Sequence, residues 1–294
     1  MKLLVSNKEI PLHGVVVYDS LNQLYTTIEV ISSVYINEPD VLLRSDKTLK
    51  CKVIRSVYEN KLYRYTLVSE NTWRLLNTNC SAFNGSADVN KLLSSIGLRY
   101  NVNAKSNVSW WILPETKFKV VLSYLNTYTS LQSGGAPCFY VDIDGNLSCI
   151  DLKKVYQSND IFKLKGVVDN DFSAYDWIIE TPGNVDVFSY SKDGVKKVKV
   201  REGAGSGVVK INDTTGFSTE LMVQRIKNEF YFNYFTSRKL NVSQVNAESY
   251  QLGSLMKIGD VDQKFIIFSR TVSIPVNDEA PVVKLVLCAP CQKL

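Results

Sequence analysis

Residues 109–152 have the sequence SWWILPETKFKVVLSYLNTYTSLQSGGAPCFYVDIDGNLSCIDL. Pro114 fixes its own φ angle and lacks an N–H group, which suits the first turn of a helix. An apolar stripe at helical spacing follows, and it consists of Phe118, Val121, Leu122, Leu125 and Tyr128. Gly134 and Gly135 end the helical pattern. The stretch therefore predicts one amphipathic helix that begins near Pro114 and ends before the glycine pair.

A tight turn occupies the second half of the same stretch. Asp144, Gly145 and Asn146 separate two β-prone runs, residues 139–141 and 147–150. An Asp-Gly pair between such runs is a strong hairpin signal, because glycine reaches positive φ at little cost. The stretch therefore predicts a helix packed on a β-hairpin, and nothing in this α/β module is typical of a catalytic site.

The chain before the module is rich in β-branched and aromatic residues. The predicted strands are residues 14–18, 25–31, 51–58 and 61–68. Glu59 and Asn60, between the last two, predict a tight hairpin. Asp88 is placed to cap a short helix. We therefore predict a first β domain at residues 1–88 and the α/β module at residues 89–155.

A second β-rich segment covers residues 156–294. Its predicted strands are residues 162–168, 177–180, 185–190, 195–200, 265–274 and 282–287. Its predicted turns are Pro182-Gly183 and Asp193-Gly194. We also predict a helix at residues 219–235, capped by Ser218. The predicted fold class is α+β, mostly β, with two antiparallel β-barrel or sandwich domains and a small inserted α/β module.

Charge and hydropathy exclude several classes of protein. Lys and Arg number 34 against 29 Asp and Glu, a net charge of +5, and such an excess does not predict nucleic-acid binding. No apolar run approaches the roughly 20 residues that span a bilayer. Asn7, Lys8 and Glu9 interrupt the apolar N-terminus too early for a signal peptide. We expect a protein made in the cytoplasm, with neither a membrane nor a specific nucleic acid as partner.

The six cysteines are spread along the chain, which predicts reduced core thiols rather than a disulfide framework. Cys138 and Cys149 flank the hairpin and could face each other across it. Cys288 and Cys291 form a C-x-x-C pair. A zinc site there would need two further ligands, and a redox role would need a helix start that lowers a thiol pKa.

Candidate catalytic and metal-binding groups are few. His13 is the single histidine, so any histidine-dependent triad would have to use it, and a surface or turn position is the alternative. The glycine-rich residues 203–207 lack the Lys-Ser/Thr of a phosphate loop and predict a flexible loop. Asp142, Asp144 and Asp151 could hold a cation near the hairpin, although the turn already accounts for Asp144. We expect no catalytic residue, no cofactor and no metal.

The order of features in residues 109–152 is similar to the middle of bacteriophage tail hub proteins, the central baseplate proteins of T4-type and other long-tailed phages. The shared features are a Trp-rich entry with a proline, a helix, a Gly-Gly pair, and aromatic residues that lead into an Asp-Gly-Asn-Leu hairpin. The resemblance implies that domains 1–88 and 156–294 are tube-like. It implies a homotrimer that joins the hexameric tail tube protein to the trimeric central spike protein, next to other baseplate proteins. It also implies a place in the virion, with DNA passing through the lumen.

The candidate interface residues are Lys196, Lys197, Lys199, Trp110 and Trp111. Residues 192–201 alternate lysine with valine, which predicts a strand with one charged face. In a tube this face would line the lumen or meet an acidic partner; in an ordinary domain it is solvated. Of two neighbouring tryptophans, at least one is usually buried.

Two other functions are compatible with parts of the sequence. A receptor- or glycan-binding β-sandwich module, such as a tail adhesin, would group aromatic side chains on one exposed face, with Trp110 and Trp111 as candidates. A cell-wall hydrolase fused into the hub would need paired acid and base groups. The single histidine and the absence of a G-x-S-x-G motif argue against the enzyme. The leading prediction is a structural hub.

Overall fold

The computed structural model describes residues 1–44, 47–100, 102–163, 175–176, 184–191, 194–201, 208–213, 219–244, 250–258, 263–275 and 281–290. Within these residues the fold is α+β and mostly β, which confirms the predicted class. None of the helices in this described part is both long and apolar enough to cross a bilayer.

The N-terminal part consists of strands. They are β1 (Lys2–Val5), β2 (Lys8–Ile10), β3 (Gly14–Ser20), β4 (Thr27–Ser32), β5 (Asp40–Arg44), β6 (Thr48–Glu59) and β7 (Leu62–Ser69). The four predicted strands are confirmed as β3, β4, β6 and β7. The β6–β7 turn lies one residue later than predicted, at Asn60 and Lys61, whose φ angles of 51° and 65° belong to the left-handed region that two-residue hairpins use.

The middle part contains four helices and short strands. They are α1 (Glu70–Leu76), β8 (Asn79–Cys80), β9 (Phe83–Ala87), α2 (Val89–Ser95), β10 (Ser106–Ile112), β11 (Thr116–Lys117), α3 (Phe118–Tyr128), β12 (Ser130–Leu131), β13 (Pro137–Val141), β14 (Leu147–Asp151) and α4 (Leu152–Gln157). The predicted cap is confirmed, because the Asp88 carboxylate accepts the Asn90 N–H at 2.9 Å at the start of α2.

The C-terminal part contains one long helix among strands. They are β15 (Ile161–Lys163), β16 (Tyr175–Asp176), β17 (Asn184–Ser191), β18 (Gly194–Arg201), β19 (Val208–Asp213), α5 (Thr219–Phe235), β20 (Arg238–Gln244), β21 (Leu255–Lys257), β22 (Lys264–Ile274) and β23 (Val282–Ala289). Helix 219–235 and strands 185–190, 195–200, 265–274 and 282–287 are confirmed. The predictions that lie outside the described residues are strand 177–180, most of strand 162–168, Pro182-Gly183, Asp193, residues 203–207, the Ser218 cap and Cys291.

The predicted amphipathic helix is confirmed with different ends. Its five apolar positions are all buried in α3. The helix begins at Phe118 rather than near Pro114, because Pro114 and Glu115 form a turn closed by the Thr116 N–H and the Leu113 carbonyl at 3.3 Å. Glu115 has a φ of 62°, which is the third position of a type II turn. The two residues after this turn pair with β8 as strand β11 before the helix starts.

One 13-stranded sheet contains strands from both β-rich segments of the chain. Along its main path the order is β16-β20-β23-β22-β3-β4-β7-β6-β5-β1-β2, with β21 beside β22 and β15 beside β21. The two segments meet where β22 runs antiparallel to β3, with Ile274 opposite Val15 and Ser269 opposite Ser20. We call this pairing the β3–β22 seam. The division into domains at residues 88 and 155 stays a prediction.

Three apolar cores follow the chain. The first lies within residues 3–67, the second within residues 75–147, and the third is built mainly from residues 234–289. Burying apolar surface in this way is the main favourable term in folding. The three cores therefore give each part of the chain its own stabilising contacts, although the large sheet connects the first and the third.

The predicted hairpin is confirmed, and it lies between the second and the third core. Strands β13 and β14 pair antiparallel, and Gly145 has a φ of 86° in the turn. Phe139, Val141 and Leu147 belong to the second core with α3, whereas Cys138 belongs to the third. Alternate side chains of a strand point to opposite faces. The α/β module therefore contributes side chains to the core of the C-terminal part.

Candidate assembly interface

The two candidate tryptophans lie on opposite faces of β10. Trp110 is 6% exposed and packs against Tyr124, with ring centroids 4.3 Å apart, whereas Trp111 is 54% exposed. The separation follows from the period of two along a strand. Only Trp111 is available to a partner, so these two residues do not form the exposed aromatic group that the adhesin hypothesis predicted.

Trp111 belongs to an uncharged outer surface formed by β9 and β10. Its cross-strand neighbour is Asn84, and Ser109 lies opposite Ser86. We call this surface the Trp111 face, and its members are Asn84, Ser86, Asn107, Ser109, Trp111 and Leu113. All six are exposed, and Leu113, the next residue in the same alternation, is 60% exposed. The inner side of the same ribbon is held in the second core by Val108, Trp110 and Ile112. The Trp111 face therefore lies on a ribbon whose other side is buried in the second core.

The three candidate lysines lie on β18, which pairs antiparallel with β17 and forms a separate sheet with β19. Lys196 is opposite Ser189, and Lys197 is opposite Phe188. The period of two places Lys197 and Lys199 on one face of the strand and Lys196 on the other. Lys196, Lys197 and Lys199 therefore stay candidate interface residues. The side chains of this strand lie outside the described part of the structure.

A second exposed aromatic surface was not singled out from the sequence. Tyr58 and Tyr63 are cross-strand neighbours near the β6–β7 turn, with ring centroids 4.7 Å apart. Tyr35 packs on Tyr63 at 5.4 Å, and Tyr58 is 63% exposed. The row continues inward to buried Tyr65, whose hydroxyl donates to the Val34 carbonyl at 3.0 Å. Burial raises the pKa of Tyr65. An alternation of aromatic residues on two strands is the sequence signal that could have found it.

An ion pair spans the β3–β22 seam. Arg270 lies directly opposite Asp19, and its Nη2 and Nε atoms are 2.5 and 3.0 Å from the same carboxylate oxygen. The Thr26 hydroxyl donates to the other oxygen, and Arg270 also donates to the Tyr250 carbonyl at 2.9 Å. Asp19 is buried. A buried carboxylate must be paired to be tolerated, so this pair fixes how the two β-rich segments join.

Helices α3 and α5 are joined by a polar side chain at the rim of a cleft. The Asn228 side chain of α5 donates to the Thr127 and Thr129 carbonyls at 2.9 and 3.0 Å. These carbonyls lie at the C-terminal end of α3, where carbonyl groups have no donor within the helix. The cleft beside this contact has a volume of about 360 Å³ and is lined by residues of α3, α5, β13 and the turn after β3. Its lining includes the apolar side chains of Leu21 and Phe232 and the exposed charged side chains of Arg225 and Glu229.

The described cysteines are free thiols. Cys138 pairs with Ile150, and Cys149 pairs with Phe139. The two thiols therefore point to opposite faces of the hairpin and do not face each other across it, which corrects that expectation. Burial raises the pKa of each of them, and it raises the pKa of Cys51 to about 12 and of Cys80 to about 11.

The remaining thiol of known position, Cys288, is buried near the end of β23. Burial raises its pKa to about 12, although Lys239 acts to lower it. A thiol held protonated in this way is a poor nucleophile and a poor metal ligand. The other half of the C-x-x-C pair lies outside the described residues.

The other candidate groups have structural partners. His13 is exposed at the start of β3, where its backbone N–H donates to the Ile31 carbonyl at 2.8 Å. Asp142 accepts the Asp144 and Asn146 N–H groups at 2.9 and 2.8 Å and so shapes the hairpin turn. Asp151 caps α4. Within the described residues no group of three His, Cys, Asp or Glu side chains is placed to hold a metal ion.

No protein-family model matches the chain, and no curated protein matches it. Solved structures do. The 43 kDa tail protein of prophage MuSo2 from Shewanella oneidensis superimposes with a TM-score of 0.62 at 12% identity, over 98% of this chain and 98% of that chain. The tail protein from Neisseria meningitidis MC58 gives a TM-score of 0.61 at 12% identity, over 98% and 95%.

A third structure, the prophage tail protein gp18 from Listeria monocytogenes EGD-e, gives a TM-score of 0.55 at 11% identity, over 97% and 93% of the two chains. This chain has the fold of these phage tail proteins. The likeness extends over nearly the complete chain in all three structures. It therefore covers far more of the chain than the sequence resemblance at residues 109–152.

Proposed function

We propose that this chain is a structural protein of a phage tail baseplate and acts as its central hub. The observation that carries the proposal is the match of nearly the complete chain to three tail proteins. The continuous sheet across the β3–β22 seam supports it, because a wall shared by both β-rich segments suits a protein that continues a tube. A structural role of this kind needs no catalytic group.

In this proposal three copies form a ring. Residues 1–88 and 156–294 are the two tube-like domains of one copy, so that three copies present six similar units to the hexameric tail tube protein. The opposite side of the ring holds the trimeric central spike protein, and other baseplate proteins bind outside. Among the described strands, β2 and β16 lie at the two ends of the main sheet. They would pair between copies, which closes edges that otherwise invite aggregation.

Strand β18, which contains the candidate lysines, has a role in the same arrangement. Lys197, Lys199 and Arg201 share one face of β18 by the period of two, and this face would line the lumen or meet an acidic surface on a partner. DNA passing through the lumen would be held by charge alone, without recognition of its sequence. The assembled protein would lie in the virion, after synthesis in the host cytoplasm.

Co-purification tests the adaptor role. The chain is mixed with the recombinant tail tube protein and, separately, with the recombinant spike protein of the same phage, and each mixture is separated by size. The proposal expects stable complexes with both partners, through different surfaces, so that a ternary complex forms. Binding to neither partner would refute the adaptor role.

A further inference from the structure

The end of the β6–β7 hairpin projects beyond the strands beside it. Among the described strands, β5 pairs with β6 only as far as Lys52, and β4 pairs with β7 only as far as Tyr63. Residues 58–61 therefore have no neighbouring strand outside their own hairpin, and we call them the hairpin tip. A two-stranded ribbon alone is marginally stable in water, so a surface that covers the tip would stabilise it.

The hairpin tip carries exposed aromatic and charged side chains. Tyr58 and the neighbouring Tyr35 are both more than half exposed, and each packs on Tyr63. Tyrosine is enriched among the side chains that dominate binding energy at protein interfaces. Glu59 and Lys61 are also exposed, and neither forms an ion pair with another described residue. The tip therefore offers an aromatic ring beside one charge of each sign.

The cleft between α3 and α5 has matching properties. Its volume of about 360 Å³ falls in the range of about 300–1,000 Å³ in which proteins bind ligands, and its apolar lining includes Leu21, Pro137 and Phe232. Arg225 and Glu229 are the only charged residues among those that line it. Neither of them has an ion-pair partner within the described part of the chain.

The charges of the two surfaces are complementary. Arg225 and Glu229 lie one helical turn apart, a rise of about 6 Å. Glu59 and Lys61 lie at the two sides of a tight turn, whose ends are within about 7 Å of each other. Glu59 can therefore face Arg225. Lys61 then faces Glu229, and the adjacent Tyr58 ring lies at the apolar cavity.

The two surfaces cannot meet within one copy of the chain. The hairpin tip lies beyond the pairing of Tyr63 with Ser32, the last residue of β4, whereas the cleft contains Leu21 and Leu24 of the turn before β4. The length of β4 separates them at about 3.3 Å per residue, which together with the projecting tip amounts to roughly 20 Å or more. The tip can therefore reach only the cleft of another copy. A contact between two different surfaces of this kind can close a ring.

We propose that the hairpin tip of one copy docks in the cleft between α3 and α5 of the next copy. The Tyr58 ring enters the cavity, and Glu59 pairs with Arg225. Lys61 pairs with Glu229. Three identical contacts of this kind close the ring of three. The inference rests on the proposed trimeric hub, and it names the side chains that hold its copies together in addition to the edges of β2 and β16.

Photo-crosslinking tests where the tip binds. Tyr58 is replaced by a benzophenone amino acid in the full chain, and the crosslinked peptides are identified by mass spectrometry. Mixing isotope-labelled and unlabelled copies shows which crosslinks join two copies. We expect crosslinks between copies that end at residues 21–24 or 225–232. The matched control places the same group at Trp111, a similarly exposed aromatic position on another surface, and should give no crosslinks to these residues. Crosslinks from position 58 that end only elsewhere, or none between the copies of a trimer, would overturn the inference.

A charge exchange tests the ion pair between copies. Glu59→Arg should weaken the association of the copies by about tenfold, because it places two like charges together, and Arg225→Glu should do the same. The double variant restores the pair with its signs reversed and should associate within about threefold of the wild type. Glu115→Arg, at an exposed position away from the tip, is the matched control and should leave the association within about twofold. Sedimentation velocity over a concentration series measures all four variants. A double variant no better than either single variant would contradict the pairing.

The proposed function can fail separately from this contact. A trimer that binds tube and spike but is insensitive to both charge reversals keeps the hub and loses the contact between tip and cleft. A chain whose copies associate through tip and cleft, but which binds neither tube nor spike, keeps the contact and loses the hub.

Discussion

Asp19 and Arg270 form an ion pair between the two β-rich segments. Asp19→Ala would leave the Arg270 guanidinium partly buried and without its carboxylate. Since breaking one side of a buried ion pair is strongly destabilising, we expect the free energy of unfolding to fall by about 3 kcal/mol. Urea denaturation followed by circular dichroism measures this loss.

The matched control replaces both partners. Asp19→Leu with Arg270→Met removes the two charges together, and such exchanges are often neutral. We expect most of the lost stability to return in the double variant. A double variant no more stable than Asp19→Ala would show that the contacts of Thr26 and Tyr250, rather than the ion pair, hold the seam.

Cys51 predicts a pH dependence of stability. Burial raises its pKa to about 12, whereas an unfolded thiol ionises near pH 8.5. Above this pH the unfolded chain loses a proton that the folded chain keeps, so stability falls as pH rises. Between pH 8 and 10.5 the wild type should lose roughly 2 kcal/mol more than Cys51→Ala, a difference in which other titrating groups cancel. A pH-independent difference between the two proteins would mean that the folded thiol ionises normally.

The burial of a single side chain could be predicted only where the alternation of side chains along a strand decides which face it lies on. The period of two explains why Trp110 is buried and Trp111 is exposed, once residues 106–112 are known to form a strand. The sequence contains no signal that Asp19 meets Arg270, because 251 positions separate them. The same holds for Asn228, which bonds to carbonyls about a hundred residues away.

The geometry of the hairpin turn is tightly constrained by its glycine. Gly145 has a φ of 86°, and a Cβ atom there would lie 2.8 Å from the Asn71 Cβ of α1. Gly134 has a φ of 70°, but its Cβ would meet nothing nearer than the Lys153 Nζ at 3.9 Å. Gly145→Ala should therefore cost about 3 kcal/mol, from backbone strain and a clash, and Gly134→Ala about 1 kcal/mol, from strain alone.

Thermal unfolding of the two glycine variants checks this prediction. The larger fall in melting temperature should belong to Gly145→Ala. Equal losses would mean that α1 moves away without cost and that the turn is not docked against it.

The sequence predicted which helices and strands exist better than it predicted the residues at which they begin and end. The stripe of α3 and the pairing of β13 with β14 depend on residues close in sequence, and both are confirmed. The start of α3 was wrong because proline suits a type II turn as well as a helix start. The short strands β1 and β5 were not predicted, because four or five residues carry too short a pattern to mark a strand.

Across the complete fold, the arrangement of the main sheet could not be predicted. The pairing of β3 with β22 joins residues near the two ends of the chain, and no local pattern marks such a contact. The resemblance of residues 109–152 to tail hubs implied two tube-like β domains, and this division stays a prediction. The solved tail proteins share the fold of this chain over nearly its complete length.

The native mass of the purified chain tests the central claim most directly. Native mass spectrometry or light scattering at micromolar concentration should give three times the chain mass of 33.2 kDa, and the trimer should persist at high salt if strand pairing at β2 and β16 closes the ring. A monomer at every concentration, even with tube and spike present, would contradict the hub.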